Sequence, residues 1–189
     1  MLKPVLDYFN SIIPLSAELV ADINKYAEVK TYKKGDYILK SDRISNYTSW
    51  ILKGLVRSYY LRDEEEITTK FLWEGAPVTS VYSYYGRKPG NENIIAVEDT
   101  ILASIHYDRM QHLYNTYPEF NTIGRVITEQ TLYMWDIEVY NLRKQKAEDR
   151  YRFIVKHFPE LLQRVPLKHL ASYLGMNLET LSRIRAKKK

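Results

Sequence analysis

Leu167-Lys168-His169-Leu170-Ala171-Ser172-Tyr173-Leu174-Gly175-Met176-Asn177-Leu178-Glu179-Thr180-Leu181-Ser182-Arg183-Ile184 is the stretch whose pattern decides this chain. Val165-Pro166 opens a helix, because proline suits a first helical turn. Leu167, Leu170, Ala171 and Leu174 recur at helical spacing and form its apolar side. Gly175 stands where a left-handed residue ends a helix. Asn177 then caps a second helix, with Thr180 as its third residue. In that second helix Leu181 and Ile184 point one way. Glu179, Ser182, Arg183 and Ala186 lie opposite, with Leu178 on the flank. An apolar back and a polar front suit a helix that reads a DNA groove. Arginine pairs with guanine O6 and N7, and glutamate accepts from cytosine N4. Lys168, His169, Asn177 and Thr180 lie near the helix starts, where phosphates are held. A plain structural hairpin of two helices shows the same apolar spacing.

Charge separates these two readings. Residues 140–189 hold 13 Lys and Arg against 4 Asp and Glu, a net +9. Residues 1–139 hold 15 against 19, a net −4. A basic terminal segment on an acidic body points to a polyanion partner. Lys187 joins the expected DNA contacts, although Lys187-Lys188-Lys189 alone reads equally as a solvated tail. The chain has no cysteine, which excludes disulfides, thiolate zinc sites and cysteine nucleophiles. His106, His112, His157 and His169 show no paired metal spacing, so no metal or other cofactor is expected. No apolar run approaches the roughly 20 residues of a membrane span. The start of the chain lacks the apolar core of a secretory leader, so a cytoplasmic protein is expected.

Working outward, residues 4–28 read as helical around a break at Pro14. Residues 29–107 carry short runs rich in Tyr, Thr, Ile and Val between turn signals. These are Val29–Tyr32, Tyr37–Leu39, Ser49–Leu52, Leu55–Leu61, Ile67–Leu72, Ile94–Val97 and Ile101–Ile105. Short strands at this spacing make a sandwich or a barrel. A short helix follows to Pro118, then a long one from about Glu119 to about Lys146. Ile123, Ile127, Gln130, Met134 and Ile137 form a seam like that of a coiled coil, widened by Val126, Tyr133 and Tyr140. Such a helix serves a dimer, with Gln130 setting its register, or packs within one chain. Arg143 to Arg152 reads as a hinge. The expected domains are a sensor barrel at 1–117, a dimerisation helix at 118–146 and a helix-turn-helix domain at 147–189.

The 167–184 stretch resembles the helix-turn-helix of the Crp/Fnr regulators, most specifically in its Glu-Thr-Leu-Ser-Arg-Ile run. Lys34-Gly35-Asp36, and Gly54 before Leu55-Val56-Arg57, resemble the turn glycines of that family's cyclic-nucleotide-binding-type barrel. The resemblance implies an α+β fold: a double-stranded β-helix or jelly-roll barrel, a dimerisation helix and a C-terminal helix-turn-helix. It also implies base-reading roles for Glu179 and Arg183, and RNA polymerase as a partner. Three departures stand out. Leu178 replaces an arginine common before that glutamate, and suits a thymine methyl. The β-hairpin wing is short or absent. Thr79-Ser80-Val81 and Glu92-Asn93 stand where cyclic-nucleotide binders carry Gly-Glu and Arg-Ser. A carboxylate at the phosphate position repels a phosphodiester, so cyclic AMP is not the expected effector. Ser80, Tyr82, Tyr84, Glu92 and Asn93 mark a candidate pocket for some other small molecule, with simple packing as the alternative for the tyrosines.

The expectation is therefore a homodimeric, sequence-specific transcription regulator on a near-palindromic operator in double-stranded DNA. It is not expected to be an enzyme; a cupin-like metal enzyme needs clustered ligands, and only His106 lies near a strand end. A ligand-binding barrel that acts through protein partners without reading DNA is the other alternative.

Overall fold

The computed structural model describes residues 1–186. Two helices, α1 (Lys3–Ile12) and α2 (Ala17–Tyr26), precede the strands. Pro14 separates them, and Ser16 caps α2 by accepting from the Leu19 amide at 3.3 Å. Then follow β1 (Glu28–Tyr32), β2 (Tyr37–Leu39), β3 (Tyr47–Lys53), β4 (Val56–Arg62), β5 (Glu65–Leu72) and β6 (Pro77–Val78). Helix α3 (Val81–Gly86) leads to β7 (Asn93–Ala96) and β8 (Thr100–His106). The remaining elements are helical: α4 (Tyr107–Thr116), α5 (Pro118–Lys144), α6 (Ala147–His157), α7 (Leu161–Arg164), α8 (Leu167–Tyr173) and α9 (Leu178–Ala186). The two-residue β6 and the six-residue α3 are too short to leave a periodic signal, and sequence reading passed over both. Among the described residues no helix is long and apolar enough to cross a membrane.

The strands form two antiparallel four-stranded sheets, ordered β1-β8-β3-β6 and β2-β7-β4-β5. Ile51, Val56, Val78, Ile94 and Leu102 pack between them. The outer face of the first sheet is covered too: Trp50, Ala103 and Ile105 join Phe9, Leu19, Ile23, Leu113, Phe120 and Ile123. Phe9 meets Trp50 edge-on at 5.3 Å and Phe120 at 6.2 Å. The second sheet turns Leu55, Phe71 and Val97 into a cluster with Tyr151, Ile154, Leu161, Leu170 and Leu181 of the C-terminal helices. Helices on both outer faces explain why the middles of β3 and β4 lack a polar alternation. The link between α5 and α6 falls at Gln145 and Lys146, but the apolar core runs on across it.

Helix α5 has 27 residues, about 40 Å at 1.5 Å per residue. The first part of the seam expected along it is taken up within the chain. Ile123 is buried in the chain's own core and Ile127 packs against the same cluster. Gln130 accepts a 2.6 Å hydrogen bond from Tyr8 of α1. Ile137 is half-buried and Met134 exposed. Periodicity reported an apolar side correctly, but its first half was claimed by α1 and α4. Large apolar side chains left exposed on the helix include Leu132, Tyr133, Val139 and Tyr140.

Gly54 holds the β3–β4 turn at φ +104°, where a Cβ would lie 2.5–2.8 Å from Thr100 and the Asp99 carbonyl. Left-handed strain and overlap with backbone act together there. Gly54→Ala is expected to cost roughly 2–4 kcal/mol of stability. A thermal midpoint unchanged from wild type would contradict this account of the turn.

Candidate nucleic-acid interface

Helix α8 begins after Pro166 and buries Leu170, Ala171 and Leu174. Its end is closed by two backbone bonds: the Gly175 amide donates to Ser172 and the Met176 amide to Ala171, both at 3.0 Å. That pairing requires a left-handed residue, and Gly175 supplies it at φ +63°. Asn177 Oδ1 accepts from the Thr180 amide at 2.8 Å, as an N-cap does. Arg150 of α6 completes the turn. Its guanidinium donates to the carbonyls of Leu174 (2.7 Å), Gly175 (3.3 Å) and Gln145 (2.7 Å). Arg150 thus joins the turn to the α5–α6 link. Sequence reading placed it in a hinge patch and missed this role, because its acceptors are backbone oxygens far along the chain.

In α9, Leu181 is fully buried and Ile184 half-buried on the same cluster. Glu179, Ser182, Arg183 and Ala186 are exposed on the opposite side, as are Leu178, Asn177 and Lys168. Thr180 is half-buried. Among the described residues, Glu179 and Arg183 enter no hydrogen bond or ion pair within the chain. Their polar groups therefore remain available to a ligand. Arg185 is also exposed on this helix and adds a cation that sequence reading did not select. The expected contact from Lys187 lies outside the described residues.

His169 is a correction. Expected at a phosphate, it turns inward, where its Nδ1 lies 2.9 Å from an Arg57 nitrogen on β4. Ser172 beside it accepts from the Thr68 amide at 2.9 Å and donates to the Glu66 carbonyl at 3.1 Å. Because β5 is the outer strand of its sheet, one hydroxyl serves two edge groups that a further strand would otherwise satisfy. Tyr173 donates to Glu138 of α5 at 3.0 Å and meets Phe71 edge-on at 5.4 Å. Burial, then the Glu138 charge, raises the Tyr173 phenol well above its usual range. Burial likewise raises the Glu138 carboxyl.

The five barrel residues proposed for an effector differ in exposure, although Ser80 and Tyr82 both approach Gly90. Ser80 and Asn93 are buried, and Asn93 Oδ1 is occupied by the Ser41 amide at 2.9 Å. Tyr84 is buried edge-on against Tyr85 and Tyr107. Tyr82 is 63% exposed and Glu92 half-buried. Arg87, the nearest guanidinium in that loop, donates to Ser45 (3.1 Å), Tyr84 (3.4 Å) and Asn46 (2.7 Å) and stacks on Tyr107. Arg87 thereby ties its loop to the barrel.

The chain is a double-sheet barrel joined by one long helix to a helix-turn-helix. Residues 29–117 match the sequence family of the cyclic nucleotide-binding domain, and the chain has the fold of the Crp/Fnr transcription regulators. FixK2 from Bradyrhizobium japonicum is similar with a TM-score of 0.70 and 19% identity, over 85% of this chain and 83% of FixK2. The c-di-GMP responsive global regulator CLP of Xanthomonas campestris gives a TM-score of 0.72 at 19% identity, over 91% of each chain. The catabolite activator protein of Thermus thermophilus gives 0.57 at 21% identity, over 93% of this chain and 84% of its own. No curated protein sequence matches this chain.

The contrast between the two sides of α9 is measurable without DNA. Leu181→Ala is expected to cost about 2–5 kcal/mol, as for a large buried side chain removed from a core. Arg183→Ala is expected to stay within about 0.5 kcal/mol of wild type. Urea unfolding checks both, and a large loss in the arginine variant would mean that its side chain is structural.

Proposed function

We propose that this protein is a homodimeric, sequence-specific DNA-binding transcription regulator of the Crp/Fnr type, with α9 in the major groove. One observation carries the reading: Glu179, Ser182 and Arg183 stand exposed on a helix whose back is pinned by the fully buried Leu181. Arg183 suits guanine, Glu179 suits cytosine, and Leu178 suits a thymine methyl. Lys168, and the free side-chain NH2 of the capping Asn177, suit phosphates.

The exposed stripe of Leu132, Tyr133, Val139 and Tyr140 on α5 supports a parallel pairing of two copies along this helix. Two copies then present two recognition helices to half-sites about 34–36 Å apart. The reading includes no cyclic AMP dependence through the barrel. The Arg87 donors are engaged within the chain, and Glu92 brings negative charge to the same loop.

The test is selection of bound sequences from a random duplex pool, followed by affinity measurement on the selected site. A near-palindromic site is expected, with affinity falling steeply as salt rises. Arg183→Ala is expected to cost about 1–3 kcal/mol and to relax preference at one base pair per half-site. Lys168→Ala is expected to weaken all sequences alike and to lower the salt slope. Wild-type affinity and preference in both Arg183→Ala and Glu179→Ala would overturn the reading. Leu132→Asp with Val139→Asp is expected to give monomers in sedimentation.

A further inference from the structure

The proposed function leaves unexplained a charged cluster buried between the barrel and the C-terminal domain. Arg57 projects from the outer face of β4 and is only 1% exposed. Its guanidinium donates to Glu66 at 2.5 Å, to the Thr68 hydroxyl at 3.2 Å and to His169 Nδ1 at 2.9 Å. Its remaining nitrogen, Nε, is buried without a partner. The Tyr59 ring lies against the guanidinium at 4.3 Å. Glu66 and Thr68 belong to β5, whereas His169 belongs to α8 of the helix-turn-helix. The contact thus crosses from barrel to DNA-reading domain.

Arginine carries only donors. The Arg57–His169 bond therefore requires a lone pair on Nδ1, so the docked ring is neutral with its proton on Nε2. A protonated imidazole has no lone pair. Protonation would replace a hydrogen bond by two cations in contact within a half-buried site. The groups facing the ring are Arg57 from β4, Glu66 from β5 at 4.0 Å, and Lys168 on its own helix. Two of these charges oppose protonation and one favours it. Burial first, then Arg57, lowers the ring below its usual value of 6.5.

We propose that His169 is an acid-sensitive latch between the two domains: while its ring is neutral α8 stays docked on the edge of β5, and protonation releases the helix-turn-helix domain from the barrel. This goes beyond the proposed function, which needs only that α9 be exposed. The linkage fixes the direction. The docked state resists protonation more than the undocked state, so docking is fully supported above pH 6.5. As pH falls below that value the undocked ring gains a proton first. The docked-to-undocked ratio then drops by up to about tenfold per pH unit, until the docked ring also protonates.

The absence of cysteine makes the test direct. Dyes on Lys34→Cys in the barrel and Lys156→Cys in α6 report the distance between domains, with labelled protein diluted into unlabelled protein. Energy transfer is expected to fall between pH 7.5 and pH 5.5. His169→Gln keeps an oxygen acceptor for Arg57 but takes up no proton, and is expected to remain docked at both values. His157 lines a neighbouring cleft and is present in both proteins, so its effect cancels. As a second measurement on the unmutated chain, NMR titration of the His169 ring is expected to track the distance change. The latch is overturned if wild type shows no change in transfer, if His169→Gln responds to pH as wild type does, or if the ring titrates without a change in distance. No step uses DNA, so failure here is distinct from failure of the DNA-binding reading.

Discussion

A guanidinium shut away from water has to be neutralised and hydrogen-bonded, and that requirement at Arg57 ties the two parts of the chain together. Glu66 answers the charge from within the barrel, but His169 comes from the helix-turn-helix. A second arginine repeats the arrangement from the other direction. Arg164 of α7 places two donor bonds on Glu74 and two on Glu98, beside the β3–β4 turn. Between these polar contacts lie Leu55, Phe71 and Val97, in one apolar cluster with the C-terminal helices. The helix-turn-helix domain is therefore seated on the outer face of the second sheet and not merely tethered through the long helix.

This seating has consequences for α5. Its first half is held by α1 and α4 through Phe120 and Ile123. Its second half touches both neighbours: Lys70 of β5 lies over Trp135, and Glu138 accepts from Tyr173 of α8. The part of the surface left over carries Leu132, Tyr133, Val139 and Tyr140. One helix thus contacts the N-terminal core, the edge of the barrel and the helix-turn-helix, and still presents an exposed apolar stripe.

Much of this was legible in the chain's pattern. The strand runs, the break at Pro14, the Gly175 turn, the Asn177 cap and the apolar back of α9 all depend on neighbours in sequence, and the structure has them where local chemistry puts them. Three readings needed more. The α5 seam was real as an apolar side, but Ile123, Ile127 and Gln130 serve α1 and the core of the same chain. His169 lies one residue from Lys168, yet one faces the barrel and the other solvent. Ser80, Tyr82, Tyr84, Glu92 and Asn93 are close in sequence, yet Ser80, Tyr84 and Asn93 are buried while Tyr82 is exposed.

The sequence by itself determined the elements, the basic charge of the last quarter and the polar face of α9, because turns, caps and periodicity are short-range physics. Only the tertiary structure decided which surface each apolar or charged side chain met. Arg57 and His169 are 112 residues apart, and no local rule relates them. Their contact exists because the outer face of β4 would otherwise leave Leu55 and Arg57 without cover, and the C-terminal helices supply it.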